Sequence, residues 1–327
     1  MNDNYFNNIF SINNSTEFER LALQAYNFQI NNNIIYKKYA SIILQDKKPE
    51  KIEEIPFLPI SFFKSKQVIC EKQKVEKIFY SSGTQGVRSK HYISDITIYE
   101  RSFRTAFNKF YNNVSDYCIL SLLPNYRKNP NSSLIYMVND LIKKSKHIDS
   151  NYYFDKYKSL AEKIQALEKK KEKTLLIGTS ETLLHLADKY PMKLENTIVI
   201  ETGGTKGGSN KRLLKEELHK ILKEHFKLKN IHSEYGMTEL LSQSYSKGDG
   251  VFISPLWKKV LIRDITDPLS IIGNNKTGGV NIIDLANIYS CPFIATQDLG
   301  RTNEDSSFSI LGRFDNSDIR GCNLLTV

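Results

Sequence analysis

Two short segments of this sequence bring together residue types that handle phosphate, a nucleobase and a hard metal ion. Residues 80–86 read Tyr80-Ser81-Ser82-Gly83-Thr84-Gln85-Gly86, and residues 233–239 read Ser233-Glu234-Tyr235-Gly236-Met237-Thr238-Glu239. In the first, the glycines permit a tight turn that aims backbone N–H groups at an anion, and the hydroxyls add further donors. In the second, Tyr235 offers a ring face to a base, Thr238 a hydroxyl to phosphate and Glu239 an oxygen ligand to Mg²⁺. Each segment also has a plainer reading. The first can be an ordinary turn, and the second a buried tyrosine ahead of a helix whose first turn carries a favourable acid.

A third segment, Glu201-Thr202-Gly203-Gly204, follows an apolar run expected to be a strand. Open α/β sheets bind ligands at strand carboxyl ends, and adjacent glycines let a flat ring lie against backbone. A simple strand-to-loop turn would look the same. No GxxxxGK-(S/T) pattern is present, and the run from Gly203 to Gly208 lacks GxGxxG spacing. P-loop and dinucleotide-binding chemistry are therefore disfavoured.

These segments must be held by a scaffold, and its pattern is legible. Residues 16–45 have helical character, with Phe18, Leu21, Ala22, Ala25 and Phe28 on one side. The prolines of Ile55-Pro56-Phe57-Leu58-Pro59-Ile60 then break helix. From residue 116 onward, strands expected at 117–123, 174–177 and 197–200, with a short one ending at His232, alternate with helices near 132–145, 155–169, 180–189 and 211–226. That alternation predicts an α/β domain with a largely parallel sheet flanked by helices. After residue 250, short β-type runs at 260–262, 280–283 and 308–311 predict a β-rich region, an antiparallel sheet or small barrel.

Composition narrows the function classes. The 327 residues are 40% hydrophobic and 25% charged, as in globular proteins, and are enough for a sizeable core. No run approaches the roughly 18 apolar residues of a membrane span, so no integral membrane segment is expected. The N-terminus has neither a basic n-region nor an apolar h-region. Cys70, Cys118, Cys291 and Cys322 are scattered without a CxxC pair, which suits reduced thiols and a cytoplasmic location. The net charge of +10 is spread along the chain, and its densest run, 169–173, is interrupted by Glu172. A solvated helix end explains that run, so no nucleic-acid partner is expected; the remaining excess suits anionic ligands or an acidic partner.

YSSGTQG (80–86), ETGG (201–204), EYGMTE (234–239), the run from Thr296 to Arg301 and GRFD (312–315) occur in the order found in adenylate-forming enzymes. Within that superfamily the sequence resembles the LuxE-type acyl-protein synthetases, and at longer range it is similar to phenylacetate-CoA ligases. Residues 55–64, 231–243 and 319–323 carry further likeness, which covers nearly the whole chain from about residue 15.

The resemblance implies a large adenylate-forming domain over residues 1–312, with 313–327 as a hinge remnant and tail. It implies ATP and Mg²⁺ as cofactors, and activation of a carboxylic, fatty acid as acyl-AMP. The acyl group would pass to a thiol of the protein itself or of a partner or carrier protein. Ser81, Ser82, Gly83, Thr84, Gln85 and Gly86 would embrace the ATP phosphates, and Gly203 and Gly204 would border adenine. Tyr235, followed by Gly236, would stack on adenine, and Thr238 would contact the α-phosphate. Glu239 would hold Mg²⁺, Asp298 the ribose hydroxyls and Arg313 ribose or phosphate, with Asp315 near the hinge. Cys322 matches the acyl-carrying cysteine of the family, and the neighbouring Arg320 would favour its thiolate; a buried structural cysteine is the alternative.

Three departures qualify the implied mechanism. Ser89 stands where the phosphate loop usually carries lysine, although Arg88 and Lys90 flank it. Gln297 replaces the glycine of the ribose motif and is expected to crowd the backbone. A mobile C-terminal domain is not expected after residue 315, and with it the lysine it supplies to adenylation is expected to be missing. Transfer to coenzyme A, or a non-catalytic scaffold that binds nucleotide or an acylated partner, are the alternative readings. His232 faces either the acyl pocket or the core, and His91 has no role in the motifs.

Overall fold

The apolar stripe over residues 16–45 folds as two helices rather than one. The computed structural model describes residues 3–45, 47–82, 87–123, 129–203 and 215–314. After α1 (Asp3–Phe10), α2 (Ser15–Asn32) stops at Asn33 and α3 (Ile34–Leu44) begins. Asn33 has extended φ/ψ and serves both ends. Its backbone N–H donates to Gln29 O, its side-chain oxygen accepts from Tyr36 N at 3.1 Å, and its Nδ2 donates to Ser290 O at 2.8 Å. Asparagine is suited to this because its short amide can cap a helix start while its backbone leaves the helical region.

The proline-broken stretch supplies β1 (Leu58–Pro59) and the one-turn α4 (Phe62–Ser65). The hairpin β2 (Lys77–Tyr80) and β3 (Lys90–Ile93) then brackets the hydroxyl-rich loop. Neither this hairpin nor α5 (Ile96–Tyr111) is anticipated by the sequence pattern. Within α5 the buried Tyr99, Phe103, Ala106, Phe107 and Phe110 recur at helical spacing and form one wall of the larger core.

The predicted alternation is present. The elements are β4 (Cys118–Ser121), α6 (Ser133–Ser145), β5 (Asn151–Tyr152), α7 (Tyr157–Lys169), β6 (Thr174–Thr179), α8 (Ser180–Lys189), β7 (Thr197–Thr202), α9 (Lys215–Phe226), β8 (His232–Tyr235) and β9 (Ser244–Ser246). They form a six-stranded sheet in the order β5-β4-β6-β7-β8-β9, parallel except for β9. Its strands β4, β6 and β7 carry apolar runs because both faces are covered. On one face Leu160, Ile164, Leu183, Leu186, Leu218, Leu222 and Phe226 of α7, α8 and α9 pack on Leu120, Leu176 and Val199. On the other, α5 and α6 pack on Ile119, Leu175, Ile177 and Ile200. One boundary moves. The strand expected to end at His232 begins there and runs through Tyr235, so the aromatic motif is strand first and turn afterwards.

Beyond residue 250 come β10 (Val251–Phe252), β11 (Lys258–Arg263), β12 (Ile271–Ile272), β13 (Gly278–Asp284), β14 (Phe293–Thr302) and β15 (Phe308–Arg313). They form an antiparallel sheet in the order β10-β15-β14-β13-β11-β12, with β1 added in parallel against β14. This is the sheet alternative of the expected β-rich region, and it enlists a strand from far upstream. The register shifts beside Leu299-Gly300, where an added Cβ on Gly300 would stand 2.7 Å from Ser309 O and from Val280 Cγ2. Glycine is needed there for space.

Candidate active site

The two sheets meet at Tyr235. On β8 the side chains alternate between faces. His232 and Glu234 face α5 and α6, where Tyr111 Oη lies 3.2 Å from His232 Nδ1. On the opposite face, the Ser233 hydroxyl reaches His219 Nε2 on α9 and Glu201 Oε2 on β7, at 3.3 and 3.2 Å. At the strand end the half-buried Tyr235 ring crosses to the second sheet and packs against Phe252 and Phe308, centroids 5.7 and 5.5 Å away.

Tyr235 Oη donates to Asp298 Oδ2 at 2.8 Å, and Arg313 Nε donates to Asp298 Oδ1 at 3.0 Å. Three residues spread over 78 positions of sequence thus share one carboxylate, buried but for 6% of its surface. Burial and then the Asp298 charge push the Tyr235 phenol well above its ordinary range, so it stays a donor. The register of β14 and β15 pairs Asp298 directly with Arg313. Gln297 sits in β14 without positive φ and accepts from Phe314 N at 2.9 Å. An extended backbone of this kind does not itself require glycine.

The turn after Tyr235 carries Thr238 and the buried Glu239, and no helix follows. It is held from beneath by a residue the motifs do not single out. His91, fully buried on β3, places Nδ1 2.7 Å from Thr238 O and Nε2 2.9 Å from Asn287 Oδ1. Asn287 Nδ2 in turn donates to Glu239 O at 2.8 Å. Burial pushes His91 down to about 4, opposed by its contacts with Thr238 O and Asn287 Oδ1. Burial also raises the Glu239 carboxyl, opposed first by the hydroxyl of Ser89. The serine standing in the usual lysine position is itself buried, and its N–H donates to Ser81 Oγ at 3.0 Å. Ser81 thereby closes the base of the loop, with Ser82 exposed beside it. Arg88 and Lys90 are exposed.

Lys258, on β11, is a second residue the sequence does not flag. It is buried, its Nζ lies 5.1 Å from the Tyr235 ring centroid and donates to Ser242 O at 3.0 Å. Burial lowers it to about 8, opposed by Asp284 and then Glu234. Burial raises Glu234 to about 7, opposed first by Lys258. The position of Glu234 inside the aromatic motif is the one signal that marks it in advance.

Gly203 directly follows β7, with no described atom within 4 Å of a Cβ added to it, and Gly236 lies against Glu234 Oε1. Gly83, Thr84, Gln85, Gly86, Gly204, Asp315 and Cys322 lie outside the described residues. Cys70, Cys118 and Cys291 are buried, and burial raises all three thiols, to about 12 and 11 for the first two. Among the described residues no group of three His, Cys, Asp or Glu side chains could hold a metal by itself. Glu239 with substrate phosphates and water still suits Mg²⁺, which is commonly bound through one or two carboxylates and phosphate oxygens. No described helix is long and apolar enough to cross a membrane.

Parallel strands ending at glycine- and tyrosine-bearing turns, joined to an antiparallel sheet through a shared aspartate, make an adenylate-forming-enzyme fold. It is similar to 2-hydroxyisobutyryl-CoA ligase, solved with 2-HIB-AMP and CoA, with a TM-score of 0.67 and 12% identity over 93% of this chain and 69% of that one. It is also similar to ATP-bound MatB from Rhodopseudomonas palustris, with a TM-score of 0.54 and 16% identity over 74% of this chain and 48% of that one. The chain thus spans about half the length of the MatB chain. No curated protein sequence matches it. The family described as "Acyl-protein synthetase, LuxE" matches residues 10–326, and the chain belongs to that family.

Proposed function

We propose that the protein activates a carboxylic acid with ATP and passes the acyl group to a thiol. The observation that supports this reading is the Tyr235–Asp298–Arg313 junction, where an aromatic ring, a carboxylate and a guanidinium are joined by hydrogen bonds. In this reading Tyr235 stacks on adenine above Gly203 and Gly204, Asp298 accepts from the ribose hydroxyls and Arg313 reaches ribose or phosphate. Thr238 donates to the α-phosphate, and Ser81 with the loop through Gly86 holds the outer phosphates. Glu239 would hold Mg²⁺, which when bound neutralises phosphate charge. An oxygen of the substrate carboxylate attacks the α-phosphorus as its bond to the bridging oxygen breaks, releasing pyrophosphate. A thiolate then attacks the acyl carbonyl and AMP leaves with the bonding electron pair. Dividing the condensation in this way makes each step easier.

The acceptor has two readings. The likeness to a fold solved with both an acyl adenylate and CoA favours coenzyme A. The family description favours a protein thiol, either Cys322 or one on a partner. Pyrophosphate release with MgATP and a panel of acids tests activation, and intact-protein mass with hydroxylamine tests the acceptor. A hydroxylamine-labile adduct absent in Cys322→Ser would place the acyl group on the protein. Release stimulated by coenzyme A, without an adduct, would identify the free thiol. No pyrophosphate with any acid would leave a nucleotide-binding scaffold.

A further inference from the structure

Thr296, Gln297 and Asp298 do not pair regularly with the strand beside them. Gly279 on β13 faces Leu299 on β14, but Asn281 faces Ala295, so the single residue Val280 stands opposite all three. A bulge of this kind bends its strand and re-aims a side chain, at the expense of ladder hydrogen bonds. The side chain re-aimed here is Asp298, which meets Tyr235 and Arg313.

Backbone groups freed by a bulge must find other partners. Ala295 O accepts from Ile60 N and Gln297 O from Phe314 N, each at 2.9 Å, and Asp298 N donates to Thr296 Oγ1 at 3.1 Å. The carbonyls of Val280 and Thr296, one on each strand, are bridged by a side chain from a third strand. On β11, Arg263 Nη1 donates to Val280 O and to Asn281 Oδ1, each at 2.8 Å, and Nη2 donates to Thr296 O at 2.6 Å. Its Cζ also lies 5.6 Å from the Phe314 ring centroid. Burial lowers the guanidinium, opposed first by the charge of Asp298. Arg263 is the register partner of Gly279, and a Cβ added to Gly279 would stand 2.5 Å from Arg263 Cζ. Glycine at 279 thus clears the path by which the guanidinium crosses β13 to reach β14. A planar fork serves several fixed acceptors at once, which a lysine ammonium does less well.

We propose that Arg263 is a positioning residue. By bridging β13 and β14 across the bulge it fixes the Asp298 carboxylate at the junction with Tyr235 and Arg313, and so in reach of the ribose hydroxyls. This rests on the reading above in which Asp298 accepts from ribose. Arg263 acts through the backbone of β14 rather than by contact with the nucleotide.

Titration calorimetry, with no acid present, compares ATP and 2′,3′-dideoxy-ATP binding to wild type, Arg263→Met, Arg263→Lys and Gly279→Ala. Wild type should bind ATP more tightly by on the order of ten- to a hundredfold, since the dideoxy nucleotide lacks hydrogen bonds to a charged group. Arg263→Met should bring that ratio close to one, and Arg263→Lys should keep part of it. Gly279→Ala retains the charge but displaces the guanidinium, so it too should lower the ratio. A purely structural defect would weaken both nucleotides alike and leave the ratio unmoved. The full wild-type ratio in folded Arg263→Met, or in Gly279→Ala where Arg263→Met does not fold, overturns the inference and leaves the ribose assignment standing. No preference in wild type removes the ribose assignment, and a double-mutant cycle in urea then decides whether Arg263 positions Asp298. Tyr235→Phe should lower the urea midpoint less in the Arg263→Met or Gly279→Ala background than in wild type, because the carboxylate is no longer held within reach of the phenol. Equal losses in these backgrounds overturn the inference.

Discussion

Asp298 shows how much a single buried carboxylate can organise. It accepts from a phenol on one sheet and a guanidinium on the neighbouring strand, so removing either donor leaves charge that burial makes expensive. Tyr235→Phe keeps the ring and deletes the hydrogen bond. A loss of about 1.5–3 kcal/mol in urea unfolding is expected, as is weaker nucleotide binding, measurable by titration calorimetry. Glu234 gives a prediction with a definite sign. Its carboxyl titrates near 7 in the folded chain, above the ordinary carboxylate value, because of burial. The folded state therefore holds the extra proton, and acidification from about pH 8 to about pH 5 favours folding at this site. Glu234→Gln cannot titrate. It should melt above wild type near pH 8 and converge on it near pH 5, and a difference constant across that range would contradict the assignment.

At the scale of elements, Asn33 and the hairpin β2–β3 decide geometry that composition leaves open. Asn33 ends α2, starts α3 and reaches the Ser290 carbonyl. Asn33→Ala removes the cap and orphans two buried groups, with an expected loss of about 1–3 kcal/mol, read as a lower urea midpoint with an unchanged m-value. The hairpin matters through His91, which joins β3 to the Thr238 carbonyl and, through Asn287, to Glu239. His91→Ala should lower the pyrophosphate-release kcat/KM by ten- to a hundredfold, on the order expected when reacting groups are misplaced. His91→Gln, which can still donate to Thr238 O, should recover part of it. Equal losses in both variants would mean the ring matters only as packing.

Across the whole molecule, the parallel sheet and the antiparallel sheet share one core through α1, α5 and the turn at 285–287, as Tyr5 Oη donating to Leu285 O illustrates. The junction of the sheets runs through Tyr235, Asp298, His91 and Asn287, so site and interface are the same residues. Variants there should lose nucleotide affinity and stability together, whereas changes in the α7–α9 layer should cost stability alone. Leu222→Ala, buried in that second layer, should cost about 2–5 kcal/mol and leave the KM for ATP unchanged in the folded fraction. A rise in that KM would show that the layers are coupled more tightly than their separate cores suggest.

The alternation of strands and helices from residue 116 to 226 was legible in the residue pattern, because burying a parallel sheet on both faces demands apolar strands and one-sided helices. The sequence also marked Tyr235, Asp298 and Arg313 by their motifs. Tertiary structure alone decided that these three converge on one carboxylate, since the pairing of β14 with β15 and the crossing of Tyr235 between sheets are long-range facts. It likewise decided the roles of His91 and Lys258, whose neighbours lie 147 and 16 residues away in sequence, and the burial of Glu234. Local pattern reports which face of an element is apolar. Which polar groups meet depends on every element packed around them.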